Sequence, residues 1–215
     1  MSRWFIVALG LLIGAGVQAP AAASAPAAHT VLLLGDSLSA AYGISRESAW
    51  PALLAERLAE QSPPWRLVNA SISGDTSAGG LSRLPDLVNK HRPRLLILEL
   101  GANDGLRGQS LGQLERNLQE MMDLVQAQGG RTLLMEMRIP SNYGPRYTTA
   151  FTDVFSTLAD DRPDVTLVPF FLADIALDPG YFLQDGIHPN ARAQPLLYEA
   201  VWPYVAAATG QLATD

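Results

Sequence analysis

The sequence predicts an α/β fold built on a five-stranded parallel sheet with helices on both faces. Three observations carry that expectation. Short apolar runs recur at Thr30–Leu34, Trp65–Ala70, Leu95–Leu100, Thr132–Met137 and Val165–Val168. Each is predominantly apolar rather than strictly alternating, as in strands covered on both faces. Stretches with helical spacing separate them, which is the order of a parallel α/β sheet.

The elements follow in order. The first run, Val31-Leu32-Leu33-Leu34, stops at Gly35-Asp36-Ser37, so a buried strand delivers a serine to the sheet edge. Helices are expected over 48–60 and 78–90, flanking the second run. After the third run, Leu111, Leu114, Leu118, Met121, Met122 and Val125 make one apolar face of a helix over 111–128. Ser110 with Gln113 three residues later has the pattern of a capping box, and Gly129-Gly130 supplies the stop. Phe151, Val154, Phe155 and Leu158 repeat the helical spacing after the fourth run and read as core. The last helix, over 190–207, contains Pro195 and Pro203, which predict a kink or an interruption.

Composition narrows the class. A chain of 215 residues with 48% hydrophobic and 17% charged content suits one compact domain. A net charge of −6 without basic runs argues against nucleic acid as a partner. The sequence has no cysteine, which excludes disulfides, a lipid-modified cysteine and any thiolate metal site. The N-terminus has the layout of a secretory signal: Arg3, an apolar stretch from Phe5 to Val17, then small residues. About 13 apolar residues fall short of the roughly 20 that span a bilayer, so no stable membrane anchor is expected. Cleavage fits after Ala23, with the bond after Ala27 as an alternative. The expected organisation is a leader over 1–25 and a single domain over 26–215.

The chemistry-bearing residues fall just after strands. Ser37 follows the first, Gly74 the second and Asn103 the third, while Asp185 and His188 lie in the loop after the fifth. Ligands of open parallel sheets collect outside the carboxyl ends of the strands, so these distant segments converge on one edge. Gly-Asp-Ser alone is weak evidence, since short polar residues are also ordinary turn and cap chemistry. Ser39 stands where a Gly-x-Ser-x-Gly elbow needs its second glycine, which argues against the usual α/β-hydrolase elbow. The histidines sharpen the case. His29 borders the leader and His91 lies in a charged loop, both reading as surface residues; His188 alone has a carboxylate, Asp185, three positions before it between turn residues. With one eligible histidine and no cysteine, a metal centre is not expected. In a triad, His188 takes the Ser37 proton and Asp185 orients the imidazole. Asn103 offers an amide and Gly74 a backbone N–H to an oxyanion, and Asp36, Asp75 and Asp104 read as loop-fixing acids.

Taken together, the blocks Gly35-Asp36-Ser37-Leu38-Ser39, Asn69 to Ser77, Gly101-Ala102-Asn103-Asp104-Gly105-Leu106-Arg107-Gly108 and Asp185-Gly186-Ile187-His188-Pro189 resemble the SGNH (GDSL) hydrolase superfamily. The nearest likeness is the bacterial thioesterase I / protease I / lysophospholipase type. The resemblance implies a flavodoxin-like three-layer α/β/α sandwich and a cofactor-free, monomeric serine hydrolase of small-molecule acyl esters and thioesters, exported to the periplasm. It implies Ser37, Asp185 and His188 as the triad and the Ser37 and Gly74 N–H groups with the Asn103 amide as the oxyanion hole. The segment Arg138 to Tyr147 resembles the family's loop beside the acyl pocket, which makes Asn142, Tyr143 and Pro145 candidate substrate contacts. Ala102 departs from the family's usual Gly-Gly-Asn-Asp, so substrate preference is less safely inherited. A carbohydrate O-acetyl esterase is the alternative enzyme, and a non-catalytic binding protein is the alternative of a different class.

Overall fold

The computed structural model describes Met1 and residues 29–160 and 162–212. Apart from Met1, the expected leader lies outside the described residues. Five parallel strands, β1 (His29–Gly35), β2 (Trp65–Asn69), β3 (Leu95–Glu99), β4 (Arg131–Met135) and β5 (Val165–Val168), form one sheet in the order β2-β1-β3-β4-β5. The register is in step across the centre, with Leu33 beside Asn69 on one side and Ile97 on the other. This strand order reverses direction between β1 and β3, and that switch point opens a crevice at their carboxyl ends.

Helices α1 (Trp50–Ala59) and α6 (Gln194–Leu212) cover one face, whereas α2 (Ser77–His91), α4 (Leu111–Gln126) and α5 (Pro145–Asp160) cover the other. Side chains alternate along β1: Val31 and Leu33 join the α1/α6 core with Trp50, Leu54 and Leu197, while Leu32 and Leu34 join the α2/α4/α5 core with Leu84, Met121 and Phe155. All of these are fully buried, so the central runs are two-sided strands, as expected, whereas the edge strands β2 and β5 are partly exposed. The three-layer sandwich and its five parallel strands are therefore present.

Several local expectations need correction. Ser110 is the N-cap residue of α4, but its side chain makes no cap bond. Gln113 turns sideways instead, donating to Asn117 Oδ1 at 2.7 Å and accepting from Arg116, because Asn117 belongs to a buried tertiary network. The final helix begins at Gln194, not Asn190, and is unbroken through Pro203 to Leu212. Pro195 is its second residue, where a missing N–H removes no intrahelical bond. β4 ends at Met135 although Met137 and Ile139 are buried too: there the apolar pattern reports burial rather than strand. His91 is the last residue of α2, not a loop residue, and His29 lies in β1 with its ring 4.9 Å from that of Trp65.

Candidate active site

The chain leaves β1 through Gly35 into a tight turn in which Ala40 N–H bonds back to Asp36 O and Tyr42 N–H to Ser37 O. A side chain at Gly35 would run into the Glu99 carboxylate and the Ser39 hydroxyl, so the turn requires glycine for space. Ser37 is thereby presented at the crevice, where its Oγ lies 2.9 Å from His188 Nε2. His188 Nδ1 lies 2.8 Å from Asp185 Oδ2. The second carboxylate oxygen, Oδ1, accepts the Ile187 and His188 N–H groups at 2.9 and 3.0 Å. The His188 and Ile187 backbone donors, with the imidazole behind them, hold the Asp185 carboxyl down at about 2. An ionised carboxylate only accepts, so the His188 proton sits on Nδ1 and Nε2 is free to accept from Ser37.

The loop holding Asp185 and His188 is built locally. Gly186 adopts φ +68°, its N–H bonding to Leu183 O, and Leu183 N–H bonds to His188 O. Phe182 bridges Pro189, and the Asn190 amide ties both Gly180 and Phe182 carbonyls. From the nucleophile side, the Tyr42 ring lies over the imidazole with centroids 4.2 Å apart.

The opposite wall is built from β2 and β3. Asn103, in the short helix α3 (Ala102–Leu106), donates its amide to Asp36 Oδ2 at 3.0 Å. Asp36 also accepts the Leu38 N–H and is almost fully buried. Burial pushes its carboxyl up to about 6 despite these donors and the nearby His188. α3 starts from Gly101 at φ +119°, where a Cβ would press on Phe155 and Leu114. Gly74, at φ +80°, lies in the loop after β2, and its carbonyl accepts from Arg107 just beyond α3. Two further bonds join these loops: Ser77 gives its N–H and hydroxyl to Asp104 at 2.9 and 2.5 Å. Asp75 pairs with Arg83 through Nε and Nη2, and Arg83 Nη1 also donates to Ala70 O. The three acids read as loop-fixing groups do hold loops.

The structure thus brings Ser37, His188 and Asp185 into one line and places Gly74 and Asn103 on linked loops beside it. Asn142, Tyr143 and Pro145 stand farther out, in a turn and at the start of α5, against α3 through a bond from Tyr143 hydroxyl to Leu106 O. Tyr143 and Pro145 border a cavity of about 370 Å³ with Tyr147 and Ala150, whereas Asn142 does not line it. Sequence reasoning missed Tyr42 and Glu99. The second had a signal: a carboxylate at the end of the otherwise apolar run Leu95–Leu100.

The chain resembles known proteins over most of its length. The model of the GDSL-like Lipase/Acylhydrolase family matches residues 33–195. The chain is 50% identical over 177 residues to "Esterase TesA" of Pseudomonas aeruginosa, covering 82% of this chain and 88% of that protein. It is 49% identical over 173 residues to "Thioesterase 1/protease 1/lysophospholipase L1" of Escherichia coli K12, covering 80% and 81%. Among solved structures, the crystal structure of TesA superposes with a TM-score of 0.78 at 49% identity, covering 81% of this chain and 97% of that one. The psychrotrophic esterase EstA from Pseudoalteromonas sp., inhibited by monoethylphosphonate, gives 0.78 at 40% identity, covering 87% and 100%. With the family model spanning most of the chain and relatives of this identity, the chain belongs to the GDSL-like lipase/acylhydrolase family and is an ester-hydrolase enzyme.

Proposed function

We propose that the protein is an exported, monomeric, single-domain serine hydrolase that cleaves acyl thioesters and carboxylic esters of fatty acids, lysophospholipids included, through Ser37, His188 and Asp185. The observation that carries this reading is the continuous relay from Ser37 Oγ through His188 to Asp185 at 2.9 and 2.8 Å. His188 Nε2 takes the Ser37 proton as Oγ attacks the acyl carbonyl, and Asp185 stabilises the imidazolium so formed. The imidazolium then gives its proton to the departing thiol or alcohol. Water, deprotonated by the same nitrogen, releases the acid from Ser37 and restores the enzyme.

Charge on the tetrahedral oxygen falls to the Ser37 and Gly74 N–H groups and to the Asn103 amide, whose second N–H remains after the first is given to Asp36. The acyl chain runs toward Asn142, Tyr143 and Pro145, where the 370 Å³ cavity offers aromatic walls. The leader over residues 1–25 directs the chain out of the cytoplasm, to the periplasm in a Gram-negative host.

A fluorophosphonate probe, followed by peptide mapping, is expected to label Ser37 in wild type and not in Ser37→Ala. Hydrolysis of p-nitrophenyl esters is expected to rise from acetyl to longer chains. Failure to label Ser37 would overturn the triad, and activity on acetyl esters alone, with acetylated xylan as the better substrate, would overturn the lipid assignment.

A further inference from the structure

Beneath the nucleophile turn lies a carboxyl group that the reaction above does not use. Glu99 ends β3, directly beside Gly35 in the sheet register, and is completely buried. Its Oε2 accepts the Ser39 hydroxyl at 2.6 Å and the Asp36 N–H at 3.2 Å. These are contacts across 60 and 63 residues that clamp both ends of the turn carrying Ser37. No donor among the described residues reaches Oε1. A buried carboxylate is tolerated when donors surround both oxygens, and here only one oxygen has them.

A second carboxylate makes full ionisation costlier still. Asp36 acts electrostatically on Glu99, and the two cannot both carry charge in so dry a place. Of the pair, Asp36 is the better supplied, with the Leu38 N–H on one oxygen and the Asn103 amide on the other. It also feels His188. Among the described residues, the other side chain hydrogen-bonded to the pair is the uncharged Ser39, whose carbonyl is held in turn by the neutral Asn69 amide at the end of β2. We propose that Glu99 is a positioning residue held as the neutral acid, which clamps the Ser37 turn while leaving Asp36 as the single charge that aims the Asn103 amide.

Burial and the Asp36 charge raise the Glu99 carboxyl well above the usual range. The direction of the effect on stability follows. A carboxyl whose proton is held more tightly in the folded state costs stability as pH climbs above its unfolded value, because the unfolded chain then gains from ionising and the folded one does not. Replacing Glu99 by the neutral isostere relieves that cost.

The proposal rests on the serine-hydrolase reading only for its kinetic half. In the full chain, the Tm of Glu99→Gln minus that of wild type is expected to grow as pH rises from 5 to 8. A packing defect would shift both values equally, so a flat or falling difference overturns the neutral acid. On p-nitrophenyl butyrate, Glu99→Gln is expected to keep kcat within about threefold, while Glu99→Ala lowers kcat by roughly tenfold and Ser39→Ala by roughly fivefold, with KM nearly constant. Loss of kcat in Glu99→Gln equal to that in Glu99→Ala, or an unchanged kcat in Ser39→Ala, overturns the clamp. An inactive wild type would sink the hydrolase assignment instead and leave the thermal comparison standing.

Discussion

Asp36 and Asp185 both interact electrostatically with His188, yet their surroundings drive them in opposite directions. Asp36 is 1% exposed, and burial pushes its carboxyl up to about 6. Asp185 is an exposed residue whose neighbours' N–H groups hold it at about 2. The difference extends to how each half of the site is made. Around Asp185 every bond closes within three residues, so the loop shapes itself. Around Asp36 the bonds reach Asn103 and Glu99 across 67 and 63 residues, so that half exists only once the sheet is assembled. A charge is kept on a self-sufficient turn near solvent, whereas the geometry of the proposed oxyanion wall is entrusted to the buried interior.

Breaking the self-sufficient half should cost most. Asp185→Asn is expected to lower kcat by about 10⁴-fold, the size of the corresponding change in the serine-protease template, because the imidazole loses its tautomer and its counter-charge. Since the loop is exposed, Tm should barely move; a drop of several degrees alongside the lost activity would show that Asp185 also supports the fold. The interior half is probed by Asn103→Ala, for which a loss of about 10² to 10³ in kcat is expected with KM little altered. Full activity in that variant would remove the amide from the oxyanion wall. The smallest effect belongs to Tyr42, whose ring lies over His188 without a hydrogen bond to it among the described residues. Tyr42→Leu should cost less than about tenfold in kcat, matching the modest worth of one tilted ring pair. A loss approaching that of Asp185→Asn would mean that Tyr42, rather than the carboxylate, fixes the imidazole.

The same contrast explains what could be read before any coordinates. Asp185-Gly186-Ile187-His188-Pro189 is legible because its geometry is encoded in adjacent residues: a turn glycine, a carboxylate and an imidazole at the spacing the loop needs. The central strands were legible for a similar reason, since burial on both faces leaves a largely apolar run. Glu99 stayed hidden because its partners are sixty residues away, and one acid in an apolar run signals only that something must satisfy it. The capping box at Ser110 misled for the converse reason: a local motif was outcompeted by the Gln113–Asn117–Ser77 network, which no local spacing reveals. Pro195 misled because its effect depends on a helix start that shifted by four residues.

Ser37 and His188 are separated by 151 positions in the chain. Contacts this distant form late, after the intervening loops have been closed. During synthesis the serine emerges early, but its proposed base belongs to the last segment before α6, so a growing or truncated chain ending before His188 would carry the proposed nucleophile with nothing to activate it. With the proposed triad, activity arrives only once the chain has been made through His188, so the order in which the protein is written shields a cell from this hydrolase during synthesis.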